Sequence, residues 1–188
     1  MNLSNPNAHA RCGSFEPAFA AARLGGLKGA LSVALVVGAL SACGGEVEKK
    51  VGFDDREHAA YLAKGKASID GEGFLRRPNG WLARCSGGVV YLVPATGYFR
   101  EWVEVYRAGN RIANSKDLNE THGKAIRKTQ CDMQGRFQFA DLPAGKWILV
   151  TRVTYDGAEW TNDSTLVSEV ETKQGEIAKV ILSNPNRI

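Results

Sequence analysis

The sequence is poor in proline, histidine and methionine, and it lacks an apolar run long enough to span a membrane. Its 188 residues include 6 Pro, 3 His and 2 Met, while 44% are hydrophobic and 23% are charged. This balance excludes a disordered, collagenous or multi-span membrane protein. The formal net charge of +4 is not gathered into a basic stripe, so nucleic acid is not an expected partner.

Signals of catalysis are also scarce. The chain contains no Gly-x-Ser-x-Gly nucleophile elbow. His58 and His122 have no partner histidine or thiol at ligand spacing, so we expect them to be solvated side chains rather than metal ligands or general bases. The sequence therefore predicts a protein that is not an enzyme and that uses no cofactor and no metal.

An uncharged segment near the start of the chain has the features of a targeting signal. Ala30–Leu40 is almost wholly apolar and follows Arg23 and Lys28, and its length is that of a signal-peptide core. The run ends in Leu-Ser-Ala before Cys43, which resembles the lipobox of bacterial lipoproteins. The alternatives are an ordinary secretory signal or a short anchor helix in which Cys43 is incidental.

The lipobox resemblance implies where the protein is anchored. In such lipoproteins residues 1–42 are a removed signal peptide, and the thiol of Cys43 is acylated, with palmitate or a similar chain. Several acyl chains on one residue anchor strongly, since each buried methylene contributes about 0.8 kcal/mol. Gly44, which is not an Asp, implies sorting to the outer membrane with the protein facing the periplasm.

Residues 43–65 are predicted to form a lipidated tether followed by a short helix. Residues 44–52 are polar, and Asp54 or Asp55 is suited to cap a helix that ends at Gly65. From residue 66 to 188 the apolar runs are short, rich in Val, Ile and aromatics, and bounded by turn residues, which is typical of an all-β domain. Strands are expected at Lys66–Phe74, Gly88–Pro94, Trp102–Tyr106, Lys124–Cys131, Gly135–Ala140, Lys146–Tyr155, Ser164–Glu171 and Glu176–Leu182.

Three segments of this domain resemble the carboxypeptidase regulatory-like family: Gly71–Phe74, Gly87–Pro94 and Asp132–Trp147. In the last of these, Gly135 suits a turn with positive φ, and Pro143 sets the corner from which Trp147 enters the next strand facing the core. The resemblance implies a transthyretin-like (prealbumin-like) β-sandwich of seven to eight strands over roughly residues 66–183. Such domains often accompany enzymes as accessory modules.

Two cysteines remain after the signal peptide and the lipidated position are set aside. In an oxidising periplasm Cys85 and Cys131 are a natural disulfide pair. They would lie at the same end of one sheet if the Val89 and Lys124 strands pair antiparallel. The alternative is two buried, unpaired thiols.

A surface is the best functional candidate that the sequence offers. Residues 98–107 mix aromatic and charged side chains, and residues 108–123 are long for a connection in a compact sandwich. We expect a non-catalytic binder of a protein or an envelope polymer such as a glycan. The alternatives are a structural or pilot lipoprotein of a secretion or envelope assembly, and an accessory module of a hydrolase. The residues predicted to contact a partner are Tyr98, Phe99, Arg100, Trp102, Tyr106 and Arg107.

Overall fold

The computed structural model describes residues 45–113, 120–156 and 161–188. The predicted signal peptide and Cys43 lie outside these ranges, and residues 46–65 belong to the same compact unit as the strands. The elements in chain order are β1 (Glu46–Val47), α1 (Asp55–Leu62), β2 (Ala67–Arg76), β3 (Leu82–Arg84), β4 (Val89–Pro94), α2 (Gly97–Arg107), β5 (Arg111–Ile112), α3 (Glu120–Ala125), β6 (Arg127–Gln130), β7 (Arg136–Leu142), β8 (Gly145–Asp156), β9 (Thr161–Thr172) and β10 (Ile177–Leu182).

Eight of these strands form two four-stranded sheets. In sheet I, β2 pairs with β10, β7 and β3, and in sheet II the order is β6, β4, β8, β9. The pair of β2 with β10 is parallel, whereas the other pairs within the two sheets are antiparallel. The predicted β-sandwich is confirmed. The short strands β1 and β5, which the sequence did not predict, form a separate parallel pair.

The hydrophobic core lies between the two sheets. Phe137 and Phe139 of β7 are buried while Arg136 and Gln138 are exposed, which confirms the predicted alternation. The apolar run from Trp147 to Val150 is buried at every position, so both faces of β8 are covered, and β8 pairs with β4 on one side and β9 on the other. The prediction of a central strand covered on both faces is therefore confirmed.

The predicted disulfide between Cys85 and Cys131 is present, with 5.8 Å between the two Cα atoms. Its geometry is also as predicted, because β4 and β6 pair antiparallel and Val89 faces Gln130 next to the bridge. Cys85 follows β3 of sheet I, and Cys131 follows β6 of sheet II. The bond therefore joins the ends of the two layers.

The strand predicted at Trp102–Tyr106 is wrong, because these residues belong to the helix α2. The apolar positions Tyr98, Phe99, Trp102, Val103 and Tyr106 recur at i, i+1, i+4, i+5 and i+8, which is the spacing of one helix face. Their aromatic content favours a strand, but their period is that of a helix. The start of the predicted strand at Lys124 is also wrong, since α3 runs through Ala125.

The predicted helix before the sandwich is confirmed as α1. The side chain of Asp54 caps it by accepting a hydrogen bond from the backbone N–H of Arg56 at 2.8 Å. No helix in the described ranges has the length and apolar character needed to cross a membrane.

Candidate functional site

The six residues predicted to contact a partner all lie on α2, which packs against the outer face of sheet II. Tyr98 and Phe99 are each only 3% exposed. Their place in the predicted contact surface is therefore corrected: they bury their rings beneath the helix and are not accessible to a partner. Arg100, Trp102, Tyr106 and Arg107 are more exposed, and their role in partner binding stays a prediction.

The other predicted residues make contacts that hold α2 in place. Arg100 forms an ion pair with Glu169 of β9 and donates from Nε to the carbonyl oxygen of Ala95 at 3.0 Å. Trp102 and Tyr106 stack one helical turn apart, with ring centroids separated by 5.6 Å. Such stacking fixes the orientation of both rings along the helix.

The end of α2 is tied to sheet II by polar contacts. The hydroxyl of Tyr106 lies 3.5 Å from Oγ1 of Thr165, and Arg152 donates to the same hydroxyl at 3.4 Å. Arg152 also forms an ion pair with Asp163. Arg107 pairs with Glu104 on its own helix. These contacts make α2 a structural cover for the sheet.

A cluster of aromatic and histidine rings completes this cover. Phe53 stacks on His58 with 4.0 Å between ring centroids, and Phe99 stacks on His122 at 5.8 Å. We call α2 together with Phe53, His58 and His122 the covering layer. Five rings of this layer contact one another, namely those of Phe53, His58, Tyr98, Phe99 and His122.

The prediction that His58 and His122 are solvated is wrong, because both rings are buried in the covering layer. Nδ1 of His58 donates to the carbonyl oxygen of Asp54 at 2.7 Å, and its Nε2 bonds with Oγ1 of Thr96 at 3.0 Å. A buried imidazole is stable only when its nitrogens are paired in this way. Phe53 and Tyr61, which lie near His58 in the sequence, were a signal for the burial of His58, whereas the sequence around His122 gives none.

Residues 46–52, here called the strap, pass along α2. Lys49 donates to the carbonyl oxygen of Tyr98 at 2.7 Å, and its Nζ lies 3.2 Å from the centre of the Tyr98 ring. The carboxylate of Glu101 accepts from the backbone N–H groups of Lys50 and Val51, both at 2.8 Å. Slight burial acts to raise the pKa of Glu101, but these bonds and the charges of Lys49 and Lys50 outweigh it and leave the pKa lowered.

The outer face of sheet I is organised differently. The outward side chains of β7 and β10 are exposed. A cleft of about 860 Å³ lies on this face. We call it the sheet cleft. Its outward-facing side chains are mainly polar: Asp70, Glu72, Arg136, Gln138, Lys179 and Ile181.

Charges of opposite sign face each other across the strands of the sheet cleft. Asp70 lies opposite Lys179 of β10 and Gln138 of β7, and Nε2 of Gln138 donates to its carboxylate at 2.9 Å. Glu72 lies opposite Arg136 in the same way. The cleft therefore places carboxylate acceptors, an amide and cationic donors side by side on a rigid surface.

A turn at the edge of the cleft orients Arg136. Oδ1 of Asp132 accepts from the backbone N–H groups of Arg136 and Gln134, at 2.8 and 2.9 Å, and its Oδ2 accepts from Nε of Arg136 at 3.0 Å. The backbone bond from Arg136 is the largest cause of the lowered pKa of Asp132, and the side-chain bond adds to it. Gly135 has a φ of 81°, which confirms the predicted turn.

No residue of the sheet cleft is among those predicted from the sequence to contact a partner. The signal was available in β7, where Arg136 and Gln138 alternate with the core phenylalanines, and in the polar positions of β2. In the described ranges, no three His, Cys, Asp or Glu side chains are grouped so that they could hold a metal ion.

Comparison with protein-family models gives no match, and comparison with curated protein sequences gives none either. Among solved structures, the chain is similar to a candidate carbohydrate-binding protein from Pseudomonas aeruginosa. The two share 24% identity with a TM-score of 0.56, over 70% of this chain and 97% of that chain. This similarity supports the β-sandwich fold.

Two pilins are more distant. The minor pilin of Streptococcus agalactiae is 13% identical with a TM-score of 0.36, over 65% of this chain and 45% of the pilin. The major pilin subunit of Bacillus cereus is 11% identical with a TM-score of 0.38, over 64% of this chain and 30% of the pilin. This chain therefore matches less than half the length of either pilin.

Proposed function

We propose that this chain is a lipid-anchored, periplasmic carbohydrate-binding module, and that the sheet cleft holds the glycan. The observation that carries the proposal is the bare outer face of sheet I, where a cleft of about 860 Å³ is lined by polar side chains. Ligand sites commonly have volumes of about 300 to 1,000 Å³ and a few polar groups fixed in direction. The similar Pseudomonas aeruginosa protein, described as a candidate carbohydrate binder, supports the same ligand class.

The chemistry of the sheet cleft suits sugar hydroxyls. A hydroxyl group both donates and accepts, so neighbouring hydroxyls are best bound where acceptors and donors alternate. Asp70 and Glu72 supply acceptors, while Gln138, Arg136 and Lys179 supply donors next to them. Ile181, which is 61% exposed at the edge of the cleft, offers an apolar surface for the C–H face of a sugar ring.

The cleft supports binding rather than hydrolysis. A glycosidase uses two carboxyl groups, one of which is held in apolar surroundings so that it stays protonated as the general acid. Asp70 and Glu72 lie instead in an open cleft, each opposite a cationic side chain. We therefore propose a non-catalytic role, and the alternatives of a pilot lipoprotein or a hydrolase accessory module differ from it in the partner that co-purifies.

Binding is tested with an array of bacterial envelope glycans, followed by calorimetry on the glycan retained. We expect Asp70→Asn and Gln138→Ala each to weaken the affinity about tenfold, since each removes one polar contact worth about 1.4 kcal/mol. The control is Glu171→Gln, which neutralises an exposed carboxylate on β9 of sheet II. Equal affinity in all three variants, or no glycan bound by the native chain, would contradict the proposal.

The lipid anchor is proposed from the sequence and needs its own test. The Cys85–Cys131 disulfide supports an oxidising compartment, because such bonds persist outside the cytoplasm. Metabolic labelling with a fatty acid should mark the native chain and leave Cys43→Ser unlabelled. Equal labelling of both chains would refute acylation at Cys43 without affecting the proposal for the sheet cleft.

A further inference from the structure

A second cavity, of about 600 Å³, lies at the end of β2, beside Tyr155 of β8 and the segment that follows β10. Arginine is the main charged residue of its wall. We call it the arginine pocket, and the side chains that matter for its chemistry are Arg76, Arg77, Arg187, Phe74, Tyr155 and Asn184. It shares no lining residue with the sheet cleft.

The backbone that presents Arg76 and Arg187 is firmly held. Oδ1 of Asn184 accepts from the backbone N–H of Arg76 at 2.7 Å, and its Nδ2 donates to the Arg76 carbonyl oxygen at 3.0 Å. Arg187 forms a β-bridge with Leu166 of β9, and its N–H donates to the carbonyl oxygen of Asn184. Asn184 is thus placed between the two arginines and fixes the backbone of both.

Arg77 is oriented by an aromatic ring. Its guanidinium carbon lies 4.9 Å from the centre of the Tyr155 ring, and its backbone N–H donates to the carbonyl oxygen of Trp81 at 2.8 Å across the β2–β3 turn. A guanidinium stacked on a ring keeps its edge directed to one side, so its N–H groups are ordered before a ligand arrives. Phe74 adds a second aromatic side chain to the wall.

We propose that the arginine pocket binds the oxyanion of a small acidic ligand, a carboxylate or a phosphate group carried on a ring. Guanidinium groups match both oxyanions with paired hydrogen bonds, and the described residues that line the pocket include three arginines and no Asp or Glu. The aromatic side chains of Phe74 and Tyr155 provide a surface for the ring. This inference does not depend on the proposed function of the sheet cleft.

The test is calorimetry on the full chain in detergent, with glucuronic acid, glucose 6-phosphate and glucose as probes. We expect one or both acids to bind more tightly than glucose, and the additional binding to be lost in the arginine variants. Binding of glucuronic acid alone assigns a carboxylate, and binding of glucose 6-phosphate alone assigns a phosphate. Affinity should fall as the salt concentration rises, because the contacts are between charges.

Arg76→Gln and Arg187→Gln should each weaken binding of the acid about tenfold, which is the loss of about 1.4 kcal/mol. Arg187→Lys keeps the charge but loses the paired donors. Its affinity for the acid should therefore lie between that of the native chain and that of Arg187→Gln. Arg56→Gln on the exposed face of α1 is the matched control, and Asp70→Asn should leave this binding unchanged. The proposal is refuted if neither acid binds, or if the folded arginine variants bind the acids like the native chain.

Discussion

Ile148 in sheet II and Ile181 in sheet I both point away from the space between the sheets, yet the first is 2% exposed and the second 61%. The difference arises from what lies outside each sheet. The covering layer buries Ile148, whereas the outer face of sheet I borders the sheet cleft. One outer face of this sandwich is buried and contributes to stability, and the other is exposed to solvent.

The largest expected effect concerns the bond that joins the two layers. We expect the double variant Cys85→Ala, Cys131→Ala to lose about 4 kcal/mol of unfolding free energy, because the bridge closes a loop of 46 residues in the unfolded chain. Urea denaturation measures this loss. A reductant should lower the stability of the native chain toward that of the double variant and leave the double variant unaffected.

The two isoleucines provide the most direct test of the comparison. Ile148→Ala should cost about 3 kcal/mol, since it removes apolar contacts and leaves a cavity under the covering layer. Ile181→Ala should change the unfolding free energy by about 0.5 kcal/mol or less, because its side chain is exposed. Equal losses for the two variants in urea denaturation would show that the outer face of sheet I is covered too.

The covering layer depends on His58 more than its sequence context suggested. His58→Ala should cost about 2 kcal/mol, because it removes a buried ring and leaves the hydroxyl of Thr96 without this partner. Arg56→Ala, two residues earlier at an exposed position of α1, is the control and should be nearly neutral. Thermal unfolding of both variants is the measurement, and similar melting temperatures would contradict a structural role for the histidine.

The smallest effect is expected where the strap meets α2. The pKa of Glu101 in the folded chain is below its usual 4.5, so its charged form stabilises the fold above that pH, and the contribution disappears as the pH falls through the lowered value. Glu101→Gln should cost less than about 1 kcal/mol near neutral pH, because the site is close to solvent. Stability curves between pH 3 and 6 should be flatter for Glu101→Gln than for the native chain, apart from the share due to Asp132.

The sandwich was predictable from the sequence because its strands alternate clearly or are wholly apolar. Phe137 and Phe139 are separated by polar residues, and the run from Trp147 shows no alternation because its strand is covered on both sides. Each pattern lies within one short segment of the sequence, so both strands could be predicted without knowing how distant segments assemble. The disulfide was also predictable, because Cys85 and Cys131 flank two strands whose antiparallel pairing brings both cysteines to the same end of the sheet.

The covering layer and the sheet cleft were not predictable by the same means. Aromatic residues are frequent in strands, and their helical spacing in 98–106 was outweighed by that composition. The cleft is formed by Asp70, Gln138 and Lys179, which come from three strands far apart in sequence. Their proximity depends on strand order and register, which are properties of the assembled sheet rather than of any single segment.

The strap also has a mechanical consequence. If the chain is anchored at Cys43, as proposed, a force exerted through the membrane anchor acts first on residue 46, where the folded unit begins. The load then falls on the short β1–β5 pair, the Lys49–Tyr98 contact and the two bonds to Glu101, before it reaches the long ladders of the sandwich. Release of the strap would lengthen the connection between Cys43 and the folded domain by seven residues, about 24 Å when extended, and leave both sheets intact.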